Sequence, residues 1–219
     1  MSNLPSPDRN GTRALLLDVA ERLFAENGFE AVSVRQLAAA VGANVAMVNY
    51  HFGTKQQLLE EIITTRLPET RERLETLSRS PLSPWEKLSL TVDMYAERFF
   101  QGRDFHRLIM REMSLRQRPA LVKIITDHLA HNLALVRGFI LDGQQNGMFR
   151  PIDAELTVAT VFGSFSSLIS HCSLMCAILE EDCEEDIYSE KSQIRFKAHL
   201  KGMLQAHLMG TEASSILRG

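Results

Sequence analysis

A histidine and three cysteines late in the chain are the residues best suited to hold a metal ion. Cys172 and Cys176 are one helical turn apart beside His171, and Cys183 follows them. Zinc accepts both residue types, but neither a CxxC pair nor a second histidine at ligand spacing completes a tetrahedral site. Cysteines on an apolar helix are mostly inert core residues. We therefore expect no metal and no cofactor, with zinc kept as an alternative that elemental analysis would revive.

The same cysteines leave open a thiol switch that senses oxidants. Three free thiols are typical of a reducing cytosol, so we expect a cytoplasmic protein. Cys183 stands within the acidic run 180–186, which disfavours the reactive thiolate. The switch hypothesis fails if peroxide and Cys→Ser substitutions leave operator binding unchanged.

Motifs that serve catalysis or phosphate binding are absent from the sequence. It contains no HExxH zinc-protease pair, no GxSxG nucleophile turn, and neither a GxGxxG nor a GxxxxGK[ST] loop. We therefore expect a protein that is not an enzyme.

The stretch from Asn44 to Phe52 could do a different kind of chemistry, the reading of DNA bases. If the stretch is a helix, Val48 and Phe52, four residues apart, must face the core. The residues left to face outward or sideways are Val45, Ala46, Met47, Asn49 and Tyr50. An outward Val-Ala-Met run suits base edges and thymine methyls, and Asn49 can pair with a base or a phosphate. The side chains placed to bond phosphates are those of Tyr50, His51 and Lys55.

Short capped helices are expected to position this stretch. Thr12 can cap a first amphipathic helix that Asn27-Gly28 ends, and Ser33 can cap a second that runs to about Val41. Gly42-Ala43 then makes a tight turn before a third helix capped by Asn44. This order is that of a helix-turn-helix unit, whose last helix is short enough to lie in a major groove. Thr54 can cap the next helix, which Pro68 should kink or end near Arg66.

The remainder of the sequence also predicts helices and no strands. Further helices are expected at about 84–101, 104–116, 119–146, 153–180 and 187–209. The predicted fold is all-α, with an N-terminal three-helix helix-turn-helix domain and a larger C-terminal helical domain. We place the first at residues 1–66, with 1–10 flexible, and the second at 67–219.

Charge does not by itself point to nucleic acid. The net charge is −3, and residues 1–55 carry five basic and five acidic side chains. The basic footprint of many DNA-binding domains is therefore absent. A helical interaction module that no longer binds DNA stays an alternative for this reason.

Residues 12–63 resemble the DNA-binding domain of the TetR family of transcription regulators. The matching segments are Ala25-Glu26-Asn27-Gly28-Phe29-Glu30, Ser33-Val34-Arg35-Gln36-Leu37-Ala38, Val41-Gly42-Ala43-Asn44, Val48-Asn49-Tyr50-His51-Phe52-Gly53-Thr54-Lys55 and Leu58-Leu59. Their order and spacing hold without a gap. The Asn-Tyr-His-Phe-Gly form is similar to one large subgroup, which includes some fatty-acid-responsive regulators.

The resemblance implies a dimeric repressor that binds a palindromic operator and releases it when a small effector binds. It places DNA contacts at Ser33, Arg35, Asn44, Val45, Ala46, Met47, Asn49, Tyr50 and Lys55. Two departures from the family pattern concern the operator sequence. Val45 and Met47 stand where many members have Lys or Thr, and Asn49 stands where Tyr is usual.

The stretch Leu156–Leu179 has no Asp, Glu, Lys or Arg and is long enough to span a bilayer. It is rich in Ser and Thr, and Lys or Arg does not flank it closely. We therefore expect a helix buried in protein and no membrane partner.

An effector site is expected among the helices between residues 85 and 180. The candidates for its lining are Phe99, Phe100, Phe105, Met110, Met113, Phe139, Phe162 and Phe165. Met and Phe make adaptable apolar walls, which suits a small hydrophobic effector, although such stripes are more often core. His106, Arg107 and Arg111 could anchor an acidic group, with a solvated helix face as the commoner role.

A homodimer is expected because one short helix contacts too few bases for useful specificity. Gly163, Ser167, His171 and Leu174 lie along one stripe of the helix predicted at 153–180, where small residues would admit a partner helix. The resemblance implies a four-helix interface from this helix and the last one.

Overall fold

The computed structural model describes residues 9–182 and 187–213, and this part of the chain contains helices and no strand. The helices are α1 (Arg9–Asn27), α2 (Val34–Ala40), α3 (Val45–Phe52), α4 (Lys55–Arg79), α5 (Pro84–Gln101), α6 (Arg103–Leu115), α7 (Pro119–Gln145), α8 (Ala154–Ser170), α9 (Cys172–Leu179) and α10 (Glu190–Ala213). The all-α prediction is confirmed. The first helix begins at Arg9, so Thr12 does not cap it.

The chain divides into two compact units. Unit 1 comprises the chain up to Pro68 together with Asp104–Ile125, and unit 2 comprises Glu69–Arg103 and the chain from Thr126 onward. Helices α4 and α7 each begin in unit 1 and continue in unit 2. These units are defined by contacts, whereas the boundary predicted after residue 66 separates domains that fold independently. That boundary stays a prediction.

Side-chain caps set the starts of the two short helices of unit 1. The Ser33 hydroxyl accepts a hydrogen bond from the Gln36 N–H, and the Gln36 side chain accepts one from the Ser33 N–H, which makes a capping box. The Asn44 side chain accepts a hydrogen bond of 2.8 Å from the Met47 N–H at the start of α3. Both predicted caps are confirmed.

The helix-turn-helix packs on an apolar core drawn from all four of its helices. Helices α1, α3 and α4 place apolar side chains inside at spacings of three and four residues, and α2 buries the adjacent Leu37 and Ala38. The buried set is Leu16, Ala20, Phe24, Leu37, Ala38, Val48, Phe52, Leu58, Leu59, Ile62 and Ile63. Because Val48 and Phe52 face this core, the opposite face of α3 is left outside.

Helix α4 runs through Pro68 to Arg79, so the predicted end near Arg66 is wrong. Proline removes one backbone hydrogen bond and costs about 3 kcal/mol or more inside a helix. Leu67 and Leu74, on either side of the proline, are buried. At about 1.5–3 kcal/mol for each large buried side chain, their burial offsets the cost.

Arg118, just before α7, holds unit 1 together through charge. Its guanidinium carbon lies 3.8 Å from the centre of the Phe29 ring, and one of its nitrogens lies 3.0 Å from a carboxylate oxygen of Glu112. A second ion pair joins it to Glu30. Glu112 is only 1% exposed, so Arg118 supplies the positive charge that a buried carboxylate requires.

Helix α9 bends away from α8 by 102° at His171, so the helix predicted at 153–180 is two helices. His171 leaves the helical conformation, with φ −132° and ψ 44°, at a point where the sequence has neither proline nor glycine. No single helix in the described ranges is long and apolar enough to cross a membrane, although α8 and α9 pass that test as a bent pair.

Candidate nucleic-acid interface and effector cavity

Helix α3 turns one face to the core and leaves the opposite face exposed. Val48 and Phe52 are buried, as predicted. On the other face Tyr50 is 75% exposed and Val45 is 39% exposed. Ala46 and Asn49 are also exposed, while Met47 is half-buried. The outward face of α3 therefore combines two small apolar side chains, one amide and one phenol.

Several polar residues predicted to contact DNA are already engaged within unit 1. The side chains of Ser33 and Asn44 form the caps of α2 and α3. The Lys55 ammonium donates hydrogen bonds of 2.8 and 3.0 Å to the carbonyls of Phe29 and Val32. It also lies 4.1 Å from the centre of the Phe29 ring, so its charge stabilises the loop before α2. A bond from Lys55 to a phosphate stays a prediction.

The cations near α3 differ in how far they are neutralised. Arg13 pairs with Glu61 and lies over the Phe52 ring, and Arg66 pairs with Asp18. Arg22 and Arg35 are exposed and form no ion pair with any residue in the described ranges. Of the predicted contacts, Arg35 is thus the cation most available to a phosphate.

A cavity in unit 2 is enclosed by helices α5, α7, α8 and α10. Its volume is about 40 Å³, and it is partly open to solvent. Its lining is Leu88, Thr91, Val92, Tyr95, Leu133, Val136, Ile140, Thr157, Val158, Val161, Phe162, Phe165 and Leu204. None of these side chains is ionised at neutral pH, since burial raises the pKa of Tyr95 to about 12. The lining therefore favours an apolar, uncharged group over a charged one.

Two of the eight predicted pocket residues, Phe162 and Phe165, line this cavity. Phe99 packs against Phe165 with ring centroids 4.8 Å apart, behind the cavity wall. The other predicted members of unit 2, Phe100 and Phe139, are buried and do not line it.

The remaining three predicted pocket residues, Phe105, Met110 and Met113, belong to α6 in unit 1. His106 on the same helix is buried, so the solvated face expected for it is wrong. Arg111 is exposed, and its guanidinium occupies the space beside Gly28.

Most of the cavity lining was missed, and a signal for it existed. Leu88, Val92 and Tyr95 on α5 and Leu133, Val136 and Ile140 on α7 follow helical spacings of three and four. Such a stripe looks the same in sequence whether it faces a core or a cavity. Sequence inspection favoured Phe and Met by residue type, while the structure selects mainly aliphatic residues.

A surface groove between α8 and α10 adjoins the cavity. It is lined by Asp153, Leu156, Thr157, Thr160, Val161, Met203, Leu204 and His207, three of which also line the cavity. The Thr157 hydroxyl lies 3.2 Å from Nε2 of His207, which joins the two walls of the groove.

The residues predicted for the dimer interface do not share one stripe, because the chain bends at His171. Gly163 and Ser167 are half-buried on α8, His171 is exposed at the bend, and Leu174 is 56% exposed on α9. Within a single chain, helix α9 buries no residue. Ile194 on α10 is 56% exposed.

Hydroxyl groups of α8 bond to its own backbone. Thr157, Thr160, Ser164 and Ser166 each donate to the carbonyl four residues earlier. The hydrogen-bonding capacity of these four hydroxyls as donors is thus satisfied within the helix.

No group of three or more His, Cys, Asp or Glu residues that could hold a metal ion is found in residues 9–182 and 187–213. Cys172 and Cys176 are half-buried and form no disulfide within the described residues. Cys183, named in the zinc and thiol hypotheses, lies outside the described residues.

Two family matches cover most of the chain. Residues 16–62 match the family described as bacterial regulatory proteins, tetR family. Residues 81–211 match the tetracyclin repressor-like C-terminal domain. The two matched segments include α3 and all of the cavity lining.

Individual relatives agree with the family matches. The chain is 23% identical over 157 residues to the fatty acid metabolism regulator protein of Bacillus subtilis, covering 71% of this chain and 80% of the relative. The structure of the ketosteroid transcriptional regulator KstR2 of Mycobacterium tuberculosis has a TM-score of 0.69 at 19% identity, covering 90% of this chain and 95% of that one.

A third similar structure, FadR of Bacillus subtilis in complex with stearoyl-CoA, has a TM-score of 0.65 at 18% identity. The alignment covers 89% of this chain and 98% of that chain. At such identities the structural likeness shows the fold, and the family matches carry the assignment. This chain therefore belongs to the tetR family of bacterial regulatory proteins and is a DNA-binding transcription regulator of the helix-turn-helix type.

Proposed function

We propose that the protein is a ligand-released repressor that acts in the cytoplasm as a homodimer on a palindromic operator. The observation that carries the proposal is that α3 has one buried face and one exposed face. Val48 and Phe52 anchor it to the core, while Val45, Ala46 and Asn49 face outward on a helix short enough for a major groove. The DNA contacts expected from sequence stay those named above, with Asn49, Tyr50 and Arg35 as the polar groups not engaged elsewhere.

The apolar cavity of unit 2 supports an effector role. Its wall offers an entering molecule burial of apolar surface and the hydroxyls of Thr91, Tyr95 and Thr157, but no charge. The effector we propose is therefore small, hydrophobic and uncharged in the part that the cavity encloses. Fatty-acid-type effectors, suggested by the subgroup resemblance and by the relative bound to stearoyl-CoA, fit this through their chains.

The groove between α8 and α10 supports a dimer on these two helices. Leu156 on its rim is 65% exposed, and Ile194 on α10 is 56% exposed. A second copy placed there would cover exposed apolar side chains and close the side on which the groove adjoins the cavity. Gly163 and Ser167 on α8 remain the proposed points of close approach.

Release would follow from a shift between two populations of the dimer. Helix α7 contributes Leu133, Val136 and Ile140 to the cavity, and its first turns belong to unit 1. A ligand that fits only one position of α7 biases the separation of the two recognition helices. If a ligand loosens DNA binding while distance labels on two copies of α3 stay unchanged, this mechanism is wrong.

The direct test is binding of the purified protein to DNA from upstream of its own gene, measured by fluorescence anisotropy. We expect saturable, salt-sensitive binding to a two-fold-symmetric site, weakened by Asn49→Ala and by Tyr50→Ala. Asn146→Ala, an exposed asparagine in the turn after α7, is the matched control and should change nothing. If neither this DNA nor a genome-wide selection of fragments yields a site bound more tightly than random DNA, the proposal fails.

A further inference from the structure

The outward face of α3 offers DNA a narrow set of contacts. Helix α3 contains no Arg, Lys, Asp or Glu. Val45 and Ala46 present exposed methyl groups in its first turn, and Asn49 presents an amide with no side-chain partner in the described part of the chain. Met47 is half-buried beside them.

Polar neighbours of α3 add little that could identify a base. The Asn44 amide oxygen accepts from the Met47 N–H, and the Ser33 hydroxyl is bound to Gln36. The Lys55 ammonium is held by the carbonyls of Phe29 and Val32. The Asn44 oxygen, the Ser33 hydroxyl and two of the three Lys55 N–H groups are thus committed within unit 1. The Asn44 NH₂ group and the third N–H of Lys55 take no part in these bonds, but neither belongs to α3.

Base edges in the major groove differ in the side chains that they favour. Guanine is typically bound by Arg or Lys, and cytosine by Asp or Glu, all of which α3 lacks. Adenine is bound by the amide of Asn or Gln, and the thymine methyl by small apolar groups. The side chains that α3 exposes match the second pair of bases and not the first.

We infer that the base pairs beneath α3 are A·T pairs, recognised through thymine methyls by Val45 and Ala46 and through one adenine edge by Asn49. The inference rests on the proposed operator binding and names the kind of sequence that the operator contains. It concerns only the pairs beneath α3. Arg35, exposed on α2, can bind a phosphate or a guanine outside them.

Tyr50 has a different place in this scheme. Its ring meets the His51 ring edge to face, with centroids 5.4 Å apart, and its side chain is 75% exposed. A phenol on such a support suits a phosphate oxygen, which positions the helix and carries no sequence information. Tyr50→Phe should therefore weaken binding to all operator variants by the same factor.

The experiment begins with selection of bound duplexes from a random pool by the full-length protein. The selected half-sites should share A·T pairs at fixed positions. Uracil is then put in place of thymine at each position, which removes the methyl group and keeps every hydrogen-bonding atom. Loss of one methyl contact is expected to weaken binding about fourfold, and about 15-fold when both half-sites are changed.

Variants assign each effect to a side chain. Val45→Ala should reduce the thymine-to-uracil effect at one position, while Ile124→Ala, an exposed residue of similar size on α7, should leave it unchanged. Changing the contacted A·T pair to G·C should weaken wild-type binding by about 5- to 150-fold. The same change should matter little to Asn49→Ala. Both altered positions of α3 are exposed, and thermal unfolding checks that the variants fold.

The possible outcomes distinguish failure of this inference from failure of the proposed operator binding. Methyl effects that depend on Val45, with an adenine preference that depends on Asn49, support the inference. A selected operator with G·C pairs beneath α3, or one indifferent to uracil, overturns the inference and leaves the regulator intact. Failure to select any specific duplex overturns both.

Discussion

The exposed face of α3 and the cavity of unit 2 both lack Asp, Glu, Lys and Arg, but for opposite reasons. On α3 the uncharged side chains face solvent, where charge would cost little. In the cavity they are enclosed, where an unpaired charge would be strongly disfavoured. Burial therefore explains the lack of charged side chains in the cavity, but it does not explain their absence from the exposed face of α3.

The two regions also differ in how they are assembled. The α3 face comes from one stretch of eight residues, positioned by caps on adjacent turns. The cavity comes from four helices, with lining residues from Leu88 to Leu204. A change in α3 should thus alter one contact at a time, while a change in the cavity wall or in the supports of a unit affects packing as a whole.

The largest effect is expected where unit 1 depends on a buried charge. Arg118→Met leaves the Glu112 carboxylate, 1% exposed, without its ion-pair partner and should cost about 3–5 kcal/mol of unfolding free energy. Urea denaturation measures the loss. Adding Glu112→Gln removes the orphaned charge and should restore most of the stability. An equal loss in the double variant would mean that Arg118 acts through Phe29 or Glu30 and not through Glu112.

A smaller effect should mark the cavity as a binding site for neutral molecules. Leu133→Trp places extra volume in the wall and should weaken binding of the neutral dye N-phenyl-1-naphthylamine at least about tenfold, at a stability cost of about 1–3 kcal/mol. Ile124→Trp, on the same helix outside the cavity, is the control. Tighter binding of a sulfonated naphthalene dye than of the neutral one would contradict the uncharged-effector proposal.

Two glycines test how strictly α3 is held. Gly42, before α3, and Gly53, after it, have φ of +66° and +71°, and the ψ of −86° at Gly53 lies outside the left-handed helical region. Alanine should cost about 1–2 kcal/mol at Gly42 and more at Gly53. A Cβ at Gly53 would also lie 2.4 Å from the Gln57 Oε1 that caps the Thr54 N–H, whereas nothing lies within 4 Å at Gly42. We expect Gly53→Ala to be the more destabilising by about 1 kcal/mol in thermal unfolding. Equal losses would show that neither this backbone conformation nor the contact with Gln57 penalises alanine at Gly53.

The smallest effect is expected in the pH dependence of stability. The capping box of α2 uses Gln36, which does not titrate, whereas that of α5 uses Glu86. Hydrogen bonds from the Ser83 hydroxyl and N–H hold the pKa of Glu86 below its usual 4.5. Because the pKa is depressed in the folded state, this stabilisation is present above the usual value and is lost as the pH falls through the folded-state pKa.

Glu86→Gln should therefore flatten part of the decline in melting temperature between about pH 6 and pH 3.5. The variant keeps an oxygen that can accept from Ser83, as Gln36 does for Ser33. Glu72→Gln, an exposed change on α4 that removes the same charge, serves as a control for surface charge. A decline as steep in Glu86→Gln as in the wild type would show that other carboxylates carry the acid sensitivity.

The sequence by itself determined the all-α class, the caps at Ser33 and Asn44, and the face of α3 that Val48 and Phe52 leave outside. These features depend on residues within about four positions of one another, so their physical cause lies within a few residues of sequence. Only the tertiary structure decided the bend at His171, the continuation of α4 through Pro68, the buried pairing of Glu112 with Arg118, and which apolar stripes enclose a cavity. Each of these depends on which distant helices face one another, because burial and long-range pairing outweigh local preference, and periodicity alone cannot distinguish a core from a cavity.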